Sequence, residues 1–154
     1  MSSQQSRVVT FLFTDIEGST RRWETDADAM QVALEAHDET LRQAIARCGG
    51  RVFKHTGDGI CAVFGSPHAA VDAAVAAQRC LELPVRMGIA TGEAQERGND
   101  YFGPVLNRAA RVMSAGHGGQ ILVDGLTAGR GVGKTRLALE TEAQLVGSSR
   151  TVSG

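Results

Sequence analysis

The sequence predicts an α/β sandwich, a fold in which helices pack on a mixed β-sheet. Apolar runs rich in β-branched and aromatic residues alternate with segments whose apolar residues recur every three or four positions. Two of the apolar runs are joined by Gly-Asp-Gly, a strong signal for a β-hairpin. Strands that alternate with helices and include one internal hairpin favour a sheet that is covered by helices.

The first half of the chain contains a strand, a helix and the hairpin. Residues 1–6 are polar, and we expect them to be disordered. The run RVVTFLF, from Arg7 to Phe13, is typical of a central strand because it has almost no polar alternation. From Asp26 the apolar period changes to that of an amphipathic helix, which ends at Gly49-Gly50. Residues 51–66 then form the two strands of the hairpin.

The second half alternates helix and strand. Residues 66–83 are an Ala-rich helix that begins with Ser-Pro, and residues 85–94 are the next strand. A helix over 103–116 is opened by Gly-Pro and closed by glycine, and 120–125 is a short strand. This order completes the predicted sandwich.

After Gly125 the character of the sequence changes. The stretch 126–154 contains Gly-Lys-Thr at 133–135, close to the phosphate-binding pattern GxxxxGK[ST], but its first glycine is replaced by Ala128. Only 19 residues follow Thr135, too few for the rest of a nucleotide-hydrolysing domain. We therefore expect 7–125 to be the folded domain and 126–154 to be a P-loop-like remnant or a disordered tail.

Composition limits the partners and the compartment. Among 154 residues, 16 Lys and Arg face 17 Asp and Glu, for a formal net charge of −1, so no global basic field attracts nucleic acid or an anionic membrane. The three cysteines form no CxxC, and the four histidines have no zinc-ligand spacing with them. No apolar run approaches the roughly 20 residues that span a bilayer. These features predict a soluble, cytoplasmic protein.

The loop after the first strand has two interpretations. Asp15 ends the strand, and Ile16, Glu17, Gly18, Ser19 and Thr20 lead into a helix. Asp15 or Ser19 can simply cap that helix, which is the reading favoured by this stretch alone. Alternatively, Asp15 holds a metal and the backbone N–H groups of the loop face a phosphate.

Asp58, at the tip of the hairpin, also has two interpretations, as a turn residue or as a metal ligand. Alone it is typical of a turn residue. A hairpin beside the first strand would however set it next to Asp15, and two carboxylates without a nearby lysine suit a pair of magnesium ions about 3.5 to 4 Å apart.

The helix over 103–116 carries a polar pair. Asn107 and Arg111 lie four positions apart, so they share a helix face and can address one ligand. The guanidinium of Arg111 suits a phosphate group. Lys54 and Asp100, taken alone, are typical of a solvated strand residue and a loop acid.

Three motifs, FTDIEGST, FKHTGDG and DYFGPVLNRAAR, together resemble the catalytic domain of class III nucleotidyl cyclases, especially the compact bacterial adenylate cyclases. The resemblance covers residues 7–125 and implies a mainly antiparallel sheet with a ferredoxin-like βαββαβ core. It also implies a role for each motif residue: metal binding for Asp15 and Asp58, adenine recognition for Lys54 and Asp100, ribose orientation for Asn107, and stabilisation of charge on the α-phosphate for Arg111.

The implied reaction converts ATP to cyclic AMP and pyrophosphate with two divalent metal ions, Mg²⁺ or Mn²⁺, at two shared sites of a homodimer. An alternative interpretation is a catalytically weak or inactive nucleotide-binding or dimerisation module from a multidomain transcriptional regulator. It arises because members of the family continue with further strands and a basic residue for the triphosphate. After Leu126 this sequence has instead the motif GVGKTRLA, as if an internal segment were lost.

Overall fold

The structure, a computed structural model, describes residues 5–130, 143–146 and 151–152. The elements, in chain order, are β1 (Gln5–Ile16), α1 (Ser19–Thr25), α2 (Ala27–Arg47), β2 (Arg51–Thr56), β3 (Gly59–Phe64), α3 (Pro67–Cys80), β4 (Val85–Arg97), β5 (Asp100–Phe102), α4 (Pro104–Ser114), β6 (Ile121–Asp124), α5 (Gly125–Thr127), β7 (Ala143–Val146) and β8 (Thr151–Val152).

The eight described strands form one mixed sheet. Its order is β2-β3-β1-β4-β6-β7-β8, and β5 pairs with β4 outside this path. The pairs β2–β3, β3–β1, β1–β4, β4–β5 and β7–β8 are antiparallel, whereas β4–β6 and β6–β7 are parallel. The prediction of a mainly antiparallel sheet covered by helices is confirmed.

The two faces of the sheet bury separate cores, because successive side chains of a strand point to opposite faces. Leu12 and Ile16 of β1 pack with buried residues of α2 and α3, such as Leu41 and Val71. Phe11 of β1 belongs to the second core, which lies under α4. The members of this second core are Val9, Phe11, Val63, Ala90, Ala94, Tyr101, Val105 and Ala109.

The backbone of α4 packs directly on β4. A Cβ built on Gly88 would collide with the backbone nitrogen of Met113, and one built on Gly92 would lie 2.8 Å from the guanidinium of Arg108. Two glycines on one face of β4 therefore let α4 approach the sheet closely. This close packing fixes the position of Asn107 and Arg111 relative to the sheet.

The structure differs from the sequence prediction in several places. β1 begins at Gln5 and runs on to Ile16, and the short strand β5 was not predicted. β7 and β8 extend the sheet beyond β6, where no strand was expected, because the open edge of β6 can accept another strand. The Gly-Lys-Thr of the P-loop-like stretch lies outside the described residues. No helix in the described part of the chain is both long and apolar enough to cross a membrane.

Candidate active site

Asp15 and Asp58 lie at neighbouring strand ends. Asp15 is near the end of β1 and pairs in register with Gly59, the residue after Asp58. The carbonyl oxygen of Asp58 accepts a bond from the Ile16 amide at 3.1 Å, which docks the hairpin turn on the end of β1. Gly57, with φ of 39°, makes the turn possible. The structure thus brings the two predicted metal carboxylates to one corner of the sheet.

The loop between β1 and α1 also meets this corner. The hydroxyl of Ser19 donates to Oδ2 of Asp58 at 2.8 Å, so Ser19 contacts the hairpin and does not cap α1 with its side chain. The Ile16 amide is bonded to Asp58, and the Glu17 amide donates to the carbonyl of Pro84 at 2.8 Å. These two amides therefore do not face a phosphate here, which corrects part of the loop prediction.

Three amides of the predicted set remain. Those of Gly18, Ser19 and Thr20 lie at the N-cap and in the first turn of α1, where a helix offers no carbonyl four residues back. Gly18 adopts φ of 71°, a conformation that glycine reaches without strain. An anion at this corner would find these three donors.

Arg86 of β4 makes a two-point ion pair with Asp15. Its Nε donates to Oδ1 and one terminal nitrogen donates to Oδ2, each at 2.7 Å. The hydrogen bond to Asp15 raises the pKa of Arg86, and the negative charges of Asp15, Glu17 and Asp58 add to this effect, against a smaller opposing effect of burial. The sequence predicted no lysine beside the two carboxylates, and the basic neighbour of Asp15 in the structure is an arginine.

The residues at the corner fit magnesium or manganese. In the described part of the chain, no three His, Cys, Asp or Glu side chains converge into a closed metal site. Two carboxylates that leave the remaining positions to water and substrate phosphates are, however, the usual protein share of a magnesium site. Asp15 and Asp58 are therefore suitable ligands for metal ions that arrive with a phosphorylated substrate.

A second site lies under α4. A cavity of about 490 Å³ is lined by Phe13, Phe53, Lys54, Cys61, Asp100, Tyr101, Phe102, Gly103, Leu106, Asn107 and Ala110. Aromatic side chains form much of its wall, and Lys54, Asp100 and Asn107 are its charged and amide side chains. A largely apolar, aromatic cavity with a few polar groups is suited to a heteroaromatic ring.

The lysine and the acid of this cavity face each other. Nζ of Lys54 lies 4.0 Å from Oδ2 of Asp100, and both side chains remain about half exposed, at 53% and 42%. Oδ1 of Asp100 accepts the amide of Tyr101 at 2.8 Å, which orients the carboxylate and leaves Oδ2 for another donor. The pair presents one donor and one acceptor side by side.

Cys61 forms part of the floor of the cavity, opposite Lys54 in the β2–β3 register. Burial raises the pKa of its thiol to about 11, an effect that the nearby ammonium of Lys54 reduces and the carboxylate of Asp100 reinforces. The thiol is therefore protonated at neutral pH and contributes to the cavity as a small, weakly polar group.

An ion pair between Arg108 and Asp124 fixes α4 on the sheet. Arg108 donates from Nε to Oδ2 of Asp124 and from a terminal nitrogen to the carbonyl of Thr91, both at 2.7 Å. The side chain of Asp124 is only 5% exposed, and its Oδ1 accepts the amide of Thr127 at 2.9 Å. These contacts tie α4 to β4, β6 and α5, so the exposed side chains of Asn107 and Arg111 project from a fixed helix.

The sequence profile of the adenylate and guanylate cyclase catalytic domain matches residues 1–98, well over half of this chain. The chain belongs to this cyclase family. An uncharacterised protein of Mycobacterium tuberculosis is 37% identical to this cyclase domain over 123 residues, covering 77% of the chain and 43% of the relative. An adenylate cyclase of Mycosarcoma maydis is 36% identical over 148 residues, covering 74% of the chain and 6% of that enzyme. The chain thus spans less than half the length of these relatives.

Solved structures agree with the assignment. The crystal structure of an adenylate/guanylate cyclase/hydrolase from Silicibacter pomeroyi superposes on the cyclase domain with a TM-score of 0.76 at 27% identity, covering 83% of this chain and 81% of that one. The resemblance to class III nucleotidyl cyclases that the three sequence motifs suggested is therefore confirmed.

The predicted site residues fall into two groups in the cyclase domain. Lys54, Asp100 and Asn107 line the cavity under α4, with Arg111 one turn beyond, whereas Asp15 and Asp58 form the corner where β1 meets the hairpin. Sequence reasoning missed Arg86. No local sequence pattern could have found it, because only the antiparallel register of β1 with β4 places residues 15 and 86 opposite each other.

Proposed function

We propose that this cyclase domain converts ATP to 3′,5′-cyclic AMP and pyrophosphate, at sites shared between two copies of the chain. The observation that carries the proposal is the convergence of Lys54, Asp100 and Asn107 on one aromatic cavity. The name of the Mycosarcoma maydis relative, adenylate cyclase, agrees with the choice of ATP.

Adenine recognition rests on the facing pair in the cavity. Adenine presents an exocyclic amine beside a bare ring nitrogen, so it needs one acceptor and one donor. Asp100 supplies the acceptor and Lys54 the donor, with their polar atoms 4.0 Å apart. Guanine presents a carbonyl and a ring N–H at the same positions, which would meet Lys54 and Asp100 with the pattern reversed. A site that presents one pattern disfavours the other because polar groups covered by the wrong base are left unpaired.

The remaining residues address the sugar and the phosphates. Asn107 lies in the cavity wall and would orient the ribose, while Arg111, one turn along α4, would reach the α-phosphate with its two-point fork. The amides of Gly18, Ser19 and Thr20 would meet the phosphate chain. Divalent ions held by Asp15 and Asp58 would supply activation of the ribose 3′-hydroxyl and neutralisation of the triphosphate.

The division of residues supports a shared site. The cavity that contains Lys54, Asp100 and Asn107 is lined by neither Asp15 nor Asp58. An arrangement in which one copy contributes the carboxylate corner and its partner contributes the cavity would bring all of them to one nucleotide. Two-fold pairing of identical chains then creates two equivalent sites.

The proposal is tested by measuring turnover of ATP and of GTP by the purified chain with Mn²⁺ or Mg²⁺. We expect cyclic AMP from ATP, a higher kcat/KM for ATP than for GTP, and loss of turnover in Asp15→Ala and Asp58→Ala with little change in circular dichroism. Arg42→Ala, on the exposed face of α2, is a surface control that should stay active.

Other outcomes would change the assignment in different ways. Faster turnover of GTP would contradict the roles of Lys54 and Asp100. Full activity of either carboxylate variant at saturating Mn²⁺ would contradict the metal assignment. Nucleotide binding and dimerisation without turnover would instead favour the inactive nucleotide-binding module.

A further inference from the structure

The ion pair between Arg86 and Asp15 is built into the sheet. The antiparallel register of β1 and β4 places the two residues directly opposite each other, and two hydrogen bonds of 2.7 Å join them. Their side chains are 27% and 22% exposed, so water screens the pair only in part. A two-point contact between a guanidinium and a carboxylate adds energy and fixed geometry to an ion pair.

The two carboxylates of the corner have different partners. Asp58 receives a hydrogen bond from the neutral hydroxyl of Ser19 at 2.8 Å. Asp15 instead has a full positive charge bonded to both of its oxygens. An arginine guanidinium is not deprotonated in proteins, so this positive charge is permanent.

We propose that Arg86 is a latch on the metal carboxylate: it occupies Asp15 when no metal is bound, and a divalent ion must displace it to bind there. The inference rests on the proposed function for its assignment of Asp15 as a metal ligand. The latch lowers the affinity of the nucleotide-free domain for Mg²⁺ or Mn²⁺.

Two physical effects oppose a metal ion while the latch is closed. Each oxygen of the Asp15 carboxylate already accepts a hydrogen bond from Arg86, so fewer lone pairs would be available to a divalent ion. The guanidinium also repels a divalent cation. Coulomb's law in bulk water gives an effect of roughly tenfold on affinity for a unit charge about 5 Å from a divalent ion, which salt reduces and burial increases.

The latch is tested by titrating Mn²⁺ into nucleotide-free protein and following free Mn²⁺ by electron paramagnetic resonance. We expect Arg86→Gln to bind Mn²⁺ roughly tenfold more tightly than wild type. Arg97→Gln removes the same charge from the same strand at its far end and should leave the affinity unchanged. Adding Asp15→Asn to Arg86→Gln should abolish the gain.

A second variant guards against misfolding of the first. Arg86→Lys keeps the charge but loses the two-point fork, so it should bind Mn²⁺ with an affinity between those of wild type and Arg86→Gln. Circular dichroism identifies any variant that does not fold. If only one of the two Arg86 variants folds, its Mn²⁺ affinity is the test of the latch. If both fold, both must bind more tightly than wild type.

The alternative outcomes separate the latch from the proposed function. Equal Mn²⁺ affinity in wild type and the folded Arg86 variants, with binding that still requires Asp15, would overturn the latch and leave the metal assignment standing. A gain that survives Asp15→Asn would also overturn it. Absence of Asp15-dependent Mn²⁺ binding in every variant would overturn the latch and the metal assignment together, while cyclic AMP production is measured separately.

Discussion

Replacing Arg108 by alanine should destabilise the domain by leaving a buried carboxylate without its cation. Arg108 and Asp124 are joined at 2.7 Å, and the Asp124 side chain is 5% exposed against 33% for Arg108. Removing one partner of a fully buried pair costs about 3–5 kcal/mol. Because a third of Arg108 is in contact with water, we expect a smaller loss, about 2–3 kcal/mol of the free energy of unfolding.

The double variant separates the unpaired charge from lost packing. In an Asp124→Asn background there is no carboxylate to leave uncompensated, and the amide oxygen can still accept the Thr127 amide. Arg108→Ala should then cost only about 1 kcal/mol, mostly for the lost hydrogen bond to the Thr91 carbonyl. The difference between the two backgrounds is the coupling energy of the pair.

Urea denaturation followed by circular dichroism measures both values, provided that the slope with urea is unchanged. Arg97→Ala, which removes a surface arginine of β4, should lie within about 0.5 kcal/mol of wild type. If Arg108→Ala also lay within that range, Asp124 would have to be hydrated in the folded protein, and the role of the pair in fixing α4 would be refuted.

Three further predictions concern the hairpin, the cavity and the dimer. Mixing Asp58→Ala with Arg111→Ala chains should restore roughly a quarter of wild-type cyclase activity, since about half of the dimers are mixed and each mixed dimer has one intact site of two. Absence of activity in the mixture, once differently tagged chains show that subunits have exchanged, would contradict the shared site. Gly59→Ala should lower the free energy of unfolding by about 1–3 kcal/mol, because its Cβ would collide with the Thr14 carbonyl oxygen, and an unchanged urea midpoint would show that the hairpin shifts freely. Since the pKa of Cys61 is raised to about 11, iodoacetamide at pH 8 should modify Cys61 more slowly than the exposed Cys80. Peptide mass spectrometry measures both rates, and equal rates would contradict the raised pKa. Because the pKa of the Cys61 thiol is raised by folding, the free energy of unfolding should fall as pH rises from the ordinary thiol pKa of 9.0 through about 11.

The long periodic segments were predictable from the sequence because burial imposes their period. Met30, Leu41 and Ile45 recur along α2 at helical spacing, and all three are buried. β5 escaped prediction because three residues, Asp100–Phe102, are too few to show an alternating pattern. α1 and α2 are separate helices because Asp26 adopts an extended conformation and caps α2 through the Ala29 amide.

The site was predictable only where its residues belong to one local motif. Asn107 and Arg111 share a helix face by spacing alone, and Gly-Asp-Gly places Asp58 at a turn. The approach of Lys54 to Asp100 depends on how β2 and β5 are arranged around α4, and only the resemblance to cyclases suggested it. Arg86 lies 71 positions from Asp15, and no pattern in the sequence states the register that joins them. Long-range pairing was the information that local patterns lacked.

The position of β2 has a consequence for heat sensitivity. Within the described sheet, β2 is an outer strand that pairs with β3, whereas β1 lies between β3 and β4. An outer strand can open locally with a lower free energy than the whole domain needs for unfolding. Lys54 would leave its place in such an opening while Asp15, on β1, stays in position. On warming, amide hydrogen exchange should therefore rise first along β2, and discrimination between nucleotides should fade at a temperature at which the sheet is still intact.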